Sequence, residues 1–369
     1  MIKTRNKILH FLYTKAAKPL FFKVDPETLH DHMVVSGVFL GRYRITRALT
    51  GLLFDYAHPM LAQDILGVHF SNPIGLSAGF DKNGELTNIL PFVGFGFAEL
   101  GSVTGFRCAG NPKPRLWRLP QSRGLVVYYG LKNDGAESIA KKLSNKKFKN
   151  RIGISVAMTN CKENNDIPTA VEDYKKAFGS FLEIGDYITI NISCPNTMGG
   201  QPFILPENLE LLLAGIDTIA TQKPIFIKLS PDMNHDQIDI VLDIAKHHRV
   251  HGIICTNLTK KRDNPLLLDS DIPTVGGISG VPVAGLADDM IAYIYKKEKD
   301  RFVLIGVGGV FSAEDAYKKI RNGASLIQII TGMIFEGPQL ISEINRGLVE
   351  LLKKDGFANI SEAVGVDVY

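Results

Sequence analysis

The 369-residue chain has four cysteines, Cys108, Cys161, Cys194 and Cys255, and no pair of them has CxxC or zinc-ligand spacing. That excludes a disulfide scaffold, and a reducing compartment is expected. No apolar run approaches the roughly 20 residues of a membrane-spanning helix. Lys15 and Lys18 interrupt the apolar stretch around Phe11 and Leu12, so no cleaved signal peptide is expected. Neither sign of charge dominates: 42 Lys and Arg against 38 Asp and Glu leave +4, too little to imply a nucleic-acid partner. The nine histidines lack metal-ligand spacing, and no metal is expected. No internal repeat or low-complexity tract is present. What remains is an ordinary globular composition, 45% hydrophobic and 22% charged, which excludes wholesale disorder.

The charge is unevenly placed. Residues 1–50 hold nine Lys and Arg against three acids, a local +6 within a total of +4. Ile8, Phe11, Leu12 and Ala16 are spaced for one helical face. From Asp25-Pro26 a second segment carries Leu29, Met33 and Leu40 on one stripe, broadened by Val34, Val38 and Phe39. A basic amphipathic segment over residues 1–60 fits an element that lies on an anionic lipid surface. A helix pair closing the bottom of a barrel fits equally, and the pattern leaves both open.

From residue 61 to 369 the rhythm changes. Short apolar runs at Ile74–Ala78, Phe97–Leu100, Gly153–Val156, Tyr187–Ile192, Ile225–Leu229, Gly252–Cys255, Val303–Val307 and Leu326–Ile330 read as strands. Helical patterns fall between most of them, at Ala170–Ile184, Glu207–Ala220, Asp236–His247, Asp288–Lys299 and Ala313–Arg321. Continuous apolar strands alternating with helices predict a parallel sheet covered by helices, and eight units predict a closed (β/α)8 TIM barrel. An open doubly wound sheet is the alternative, weakened because no GxGxxG follows the first strand. Two connections, about Thr104 to Gly135 and Leu258 to Gly285, are too long for simple loops and are expected to cover a site.

In such a barrel the chemistry belongs at the C-terminal ends of the strands. Four segments place glycine or polar residues there: Ile74–Gly84, Asn191–Thr197, Ile305–Val310 and Ile330–Met333. The last two are glycine turns after adjacent late strands, where backbone N–H groups can approach a phosphate. Lys82 and Lys228 end strands facing the same opening. Cys194 stands in a polar loop between Asn191 and Asn196, a candidate base or nucleophile; an inert buried thiol is the commoner role for cysteine.

The segments GLSAGFDKNGE, GNPKPRLWRL, NISCPNT, GGISGVP, LIGVGGV and GASLIQIITGMIFEGP resemble, in order, the dihydroorotate dehydrogenase family. FFKVDPETLH, residues 21–30, resembles the membrane-associated, quinone-using class 2. The resemblance implies an FMN enzyme that oxidises (S)-dihydroorotate to orotate in pyrimidine synthesis, peripheral on the cytoplasmic face of the cell inner membrane, with a quinone as acceptor. Residue by residue, it implies Ala78, Gly79, Phe80, Asp81, Lys82, Ser102, Ser155, Asn191, Lys228 and Thr256 at FMN, with Gly280, Gly309, Ile330 and Thr331 on its phosphate side. It implies Lys82, Asn191, Asn196 and Asn257 at orotate, Cys194 as the catalytic base, and His30 and Arg118 along the quinone tunnel.

The departures concentrate around the substrate. Cys194 stands where class 2 has serine, as in class 1. A segment that usually reads Asn-Arg-x-Gly-Phe-Asn is Val127-Tyr128-Tyr129-Gly130-Leu131-Lys132, so Val127 replaces an orotate-binding asparagine. Leu258 replaces a substrate-contacting threonine, Ser155 an asparagine and Ile330 a tyrosine. A neighbour in sequence, Tyr128, Tyr129 or Lys132, could swing in as a substitute for the lost asparagine. Two further readings stay open: a related FMN oxidoreductase acting on another dihydropyrimidine or enoate-like substrate, and a flavin-binding barrel without catalysis.

Overall fold

The computed structural model describes residues 2–197 and 200–368. Its strands are β1 (Gln63–Ile65), β2 (Val68–Phe70), β3 (Ile74–Leu76), β4 (Phe97–Thr104), β5 (Leu116–Leu119), β6 (Gly124–Val127), β7 (Arg151–Ala157), β8 (Tyr187–Asn191), β9 (Ile225–Lys228), β10 (Gly252–Cys255), β11 (Gly277–Gly280), β12 (Val303–Val307) and β13 (Ala324–Ile329). Eight of them close a parallel barrel in the order β3-β4-β7-β8-β9-β10-β12-β13. These are the eight apolar runs read from the sequence, with ends shifted by a few residues.

Alternation along each strand sorts the barrel interior into layers. Phe97, Tyr187, Phe226, Ile254, Ile305 and Leu326 fill the bottom layer. Gly75, Gly153 and Gly252 make room for it, since a Cβ at each would collide with the ring of Phe97, Tyr187 or Phe226 respectively. Two residues further along, Glu99, Thr189 and Gln328 form a buried polar layer. Thr189 Oγ1 and Gln328 Nε2 donate to the Glu99 carboxylate at 2.9 and 3.1 Å. One step higher, Asn191, Thr256 and Ile330 border an open cavity.

Both ends of the barrel are covered, by different means. The β1–β2 hairpin brings Phe70 edge-on against Phe97 beneath the bottom layer. At the opposite end the two long connections are not structureless: they supply β5, β6 and β11, an antiparallel sheet in which Val127 pairs with Gly277 and with Leu116.

The N-terminal segment forms three main helices, Ile2–Leu12, Pro26–Arg42 and Arg44–Phe54, the first two joined through short helical turns and the last two by the extended Tyr43. Asp25 caps the second helix, accepting from the Thr28 N–H at 2.8 Å. These helices do not close the barrel's bottom. The connection between the first two stands at the mouth, where Tyr13 and Lys18 donate to the carbonyls of Ile334 and Phe335, while the third ends beside Gly94, just before β4.

The second helix is packed the opposite way to a core helix. Its inward stripe is Glu27 and Gly41, both buried, with His30, Val34 and Gly37 half-buried, and the two glycines lie against Leu86 and Ile89. Met33, Val35, Val38, Phe39 and Leu40 face outward. Ile8, Phe11 and Leu12 of the first helix and Ile45, Leu49 and Leu52 of the third are exposed as well, Leu52 by 72%. Among the described residues no helix is long and apolar enough to cross a membrane.

Candidate active site

The cavity opens between the C-terminal ends of the barrel strands and is roofed by β5, β6 and the second N-terminal helix; its empty space, mouth included, is about 1310 Å³. Strand geometry delivers its floor and walls. After β3, the chain turns through Ala78, Gly79, Phe80 and Lys82, all in the wall. Gly79 donates to the Gly101 carbonyl at 2.7 Å, which ties this turn to the end of β4. Asp81 points away from the cavity: it is buried, and its carboxylate accepts the backbone N–H groups of Glu85 and Leu86, each at 2.8 Å. Asp81 shapes the loop that presents Lys82.

Ser102 lines the cavity, hydrogen-bonded to Asn191 Nδ2 at 2.9 Å and to the Ser155 hydroxyl at 2.7 Å. Ser155 itself is fully buried behind Ser102 and does not reach the cavity. Asn191, Asn257 and Ser193 form a web in which Asn257 Nδ2 donates to Asn191 Oδ1 at 3.2 Å and to the Ser193 carbonyl at 3.0 Å. Asn196 donates through Nδ2 to the Val127 carbonyl at 2.8 Å, while its Oδ1 is buried without a partner. The Tyr129 hydroxyl is likewise buried and unpaired in the wall. A buried polar atom left bare costs about 1–3 kcal/mol, and both residues belong to the cavity wall.

Glycine turns make the opposite wall. Gly280, Gly308, Gly309 and Gly332 all line it, with Thr256, Ile330 and Thr331. Gly309 has φ +68°, and a Cβ there would collide with Ala284 at the start of the helix between β11 and β12; only glycine lets the two segments meet. The Ser279 and Thr331 hydroxyls stand 2.8 Å apart between these turns.

Electrostatics separate this cavity from the rest of the molecule. Lys82, Lys132 and Lys228 line it, and no described carboxylate does. Lys228 donates to the Ser77 hydroxyl at 3.2 Å; burial lowers its pKa, with the charges of Glu99 and Cys194 acting in opposition. Lys82 lies 4.0 Å above the Tyr129 ring. Burial, and then the like charge of Lys132, push Lys82 down to about 8. Cys194, partly buried, is pushed up to about 11 by burial, against the pull of the Asn196 backbone N–H and Lys260. An unperturbed thiol would titrate near 8.5.

His30 reaches the cavity from the second N-terminal helix and donates through Nε2 to the Phe80 carbonyl at 2.9 Å. Burial, and then Lys82, lower it to about 4, so it is neutral at physiological pH. Arg118 is not in the wall. It donates to the Val24 carbonyl at 2.8 Å and stacks over Phe22, pinning the turn before that helix.

Sequence reasoning left out Ser77, Ser279 and Gln328, although all three line the cavity. Ser77 and Ser279 sit inside motifs already singled out, and alternation from Leu326 would have turned Gln328 inward.

A family model described as dihydroorotate dehydrogenase matches residues 60–352. The chain is 36% identical to dihydroorotate dehydrogenase (quinone) of Gloeobacter violaceus, covering 95% of this chain and 98% of that one. It is 38% identical to the protein of the same name from Acaryochloris marina, covering 96% and 99%. Among solved structures, the Eimeria tenella enzyme in complex with ferulenol superposes with a TM-score of 0.82 at 26% identity, covering 93% of this chain and 96% of that one. With a closed eightfold barrel, a lysine-lined cavity at its mouth and relatives matching nearly end to end, the chain belongs to the dihydroorotate dehydrogenase family.

Proposed function

We propose that the protein is a quinone-type, FMN-dependent dihydroorotate dehydrogenase that oxidises (S)-dihydroorotate to orotate in pyrimidine synthesis. One observation carries this reading: the cavity wall holds three lysines and no described carboxylate. Such a wall suits two anionic guests, a phosphate-bearing flavin and a carboxylate-bearing ring. FMN fits the residues present. Gly280, Gly309, Gly332 and the Ser279–Thr331 hydroxyl pair would hold its phosphate, where any larger residue at Gly309 would strike Ala284. Ala78, Gly79, Ser102, Asn191, Lys228 and Thr256 would hold the ring, with Ser155 supporting Ser102 from behind.

Turning a C–C single bond into a double bond removes a hydride from one carbon and a proton from its neighbour. Bound FMN would supply the hydride acceptor, with a quinone as the final acceptor of the two electrons. The proton goes to Cys194, whose thiolate is the base. Lys82 pairs with the substrate carboxylate, and Asn191, Asn196 and Asn257 read the ring edge. Anaerobic mixing of purified protein with dihydroorotate tests the reading: the flavin absorbance bleaches, and an unchanged spectrum refutes it.

Residues 1–60 serve as the membrane and quinone segment of this reading, and residues 61–369 as the FMN-binding barrel. The outward apolar stripes and the +6 charge suit peripheral attachment to anionic lipid on the cytoplasmic face of the inner membrane. Quinone then enters between the helices past His30, with Arg118 holding the entrance turn.

A second reading, an FMN oxidoreductase for another dihydropyrimidine or enoate-like substrate, is favoured by the apolar patch of Val127, Leu131 and Leu258. It is the better one if bound flavin fails to respond to orotate.

A further inference from the structure

The substrate side of the cavity has two unlike walls. On one, Val127 and Leu258 meet across Gly277, where a Cβ would collide with Leu258. Neither side chain can donate or accept a hydrogen bond, and Leu131 extends the apolar surface. On the other, Lys82 lies over Tyr129 with no carboxylate at ion-pair distance; Asp31, Glu27 and Asp81 act on it only through space.

Lys132 joins that second wall. Gly130 and Leu131 both adopt left-handed backbone, φ +64° and +62°, and this turn brings Lys132 back beside Tyr129 and Lys82 at the cavity. A leucine in that region is costly, of order 1–3 kcal/mol. Lys132 has one carboxylate neighbour, Glu27, at 3.7 Å. That carboxylate is already held at 2.8 Å by Arg115 and faces Lys113 at 3.4 Å. Three cations therefore share one anion, and Lys132 is the most distant of them.

Resting on the dihydroorotate reading, we propose that Lys132 is a specificity-determining residue: together with Lys82 it selects a substrate by its carboxylate, compensating for the hydrogen bonds that Val127 and Leu258 cannot make to the ring's edge. The apolar Val127–Leu258 wall then tolerates change at that edge, while the lysine pair demands an anion. Two cations in a part-desolvated wall hold a carboxylate more firmly than one. Lys132 is exposed over 41% of its side chain, so its replacement is compatible with folding.

The test titrates the oxidised flavin spectrum of the FMN-loaded protein with orotate and with uracil, which has the same ring without the carboxylate. Parent, Lys132→Met and Lys132→Arg are compared at low and high salt. The expected result is an orotate Kd at least about tenfold weaker in Lys132→Met, largely restored in Lys132→Arg. The salt dependence should be smaller in the methionine variant, and any uracil response should be the same in all three. An orotate Kd within twofold of the parent in Lys132→Met overturns the proposal while leaving the dihydroorotate reading standing. No response of the parent to orotate overturns both.

Discussion

Glu27 and Arg115, 88 residues apart, form a buried bidentate ion pair that fastens the second N-terminal helix to the loop over the cavity. Arg115 Nη2 reaches Glu27 Oε1 at 2.8 Å and Nε reaches Oε2 at 3.1 Å, while Nη1 donates to the Ala109 and Asn111 carbonyls. The roof of the cavity thus depends on a contact between the N-terminal segment and the barrel.

Removing either partner leaves a buried charge uncompensated. Glu27→Ala or Arg115→Ala should each destabilise the protein by about 3–5 kcal/mol, visible as a lower Tm. Burial raises the Glu27 pKa, but Arg115, Lys113 and Lys132 outweigh it and hold the carboxyl below its usual value of 4.5. The stability this contributes is therefore complete above about pH 4.5 and is lost as pH falls through the folded-state value. Glu27→Gln should be less stable than the parent at neutral pH and should lose less on acidification; equal losses would dismiss this role.

The Ser279–Thr331 hydroxyl pair offers a milder probe of the flavin cradle than Gly309, whose replacement disturbs the packing against Ala284. Thr331→Val should weaken FMN retention by about tenfold to a hundredfold, measured as fluorescence of released flavin. Gly309→Val should lose FMN altogether, and a folded, yellow Gly309→Val protein would put the phosphate elsewhere.

With Cys194 pushed up to about 11, thiolate is scarce at neutral pH. The rate of flavin reduction by dihydroorotate should climb with pH and continue climbing beyond pH 9, where an unperturbed thiol would already be levelling off. Cys194→Ala should slow that step by about 10²–10⁴ with FMN still bound. Stopped-flow bleaching of the flavin measures both, and near-normal reduction in Cys194→Ala would exclude the thiol as base.

Leu49 and Leu52 project from the third N-terminal helix into solvent. Leu49→Asp combined with Leu52→Asp should abolish sedimentation with anionic vesicles and cut quinone reduction sharply. The dihydroorotate half-reaction should be unchanged. Undiminished vesicle binding would move the membrane contact to another face.

The loss of Val127's hydrogen-bonding counterpart has a direct remedy. Val127→Asn adds a donor and acceptor to the cavity wall and should tighten orotate, by about tenfold for one recovered hydrogen bond. Titration of the oxidised flavin spectrum reads the change, and weaker or equal binding would mean that the wall no longer faces the ring.

The barrel was legible because its cause is local and repeated. Eight apolar runs such as Gly252–Cys255 and Val303–Val307 recur with helices between them, and a parallel sheet is the one way to bury every such strand on both faces. The glycine turns and Cys194 were legible for the same reason, since a strand's end fixes which residues face the mouth. The roof was not. Strand β11 pairs with β6 across about 150 residues, β5 and β6 form a local hairpin, and all three segments are too short for a periodicity that separates strand from loop.

The N-terminal segment divides the two kinds of information most clearly. Its charge and apolar stripes are properties of residue order, and so are the family motifs and the lysines at the strand ends. Which face of the helix Pro26–Arg42 turns inward depended on Gly37 and Gly41 meeting Leu86 and Ile89, and on Glu27 finding Arg115. Asp81 and Ser155 were placed behind the cavity, and Arg118 outside it, by partners distant in the chain or set by the loop's own turn. Burial also moved the Cys194 thiol upward. Helical and strand periods follow from backbone geometry and need only neighbours in sequence; desolvation and pairing of charges need neighbours in space.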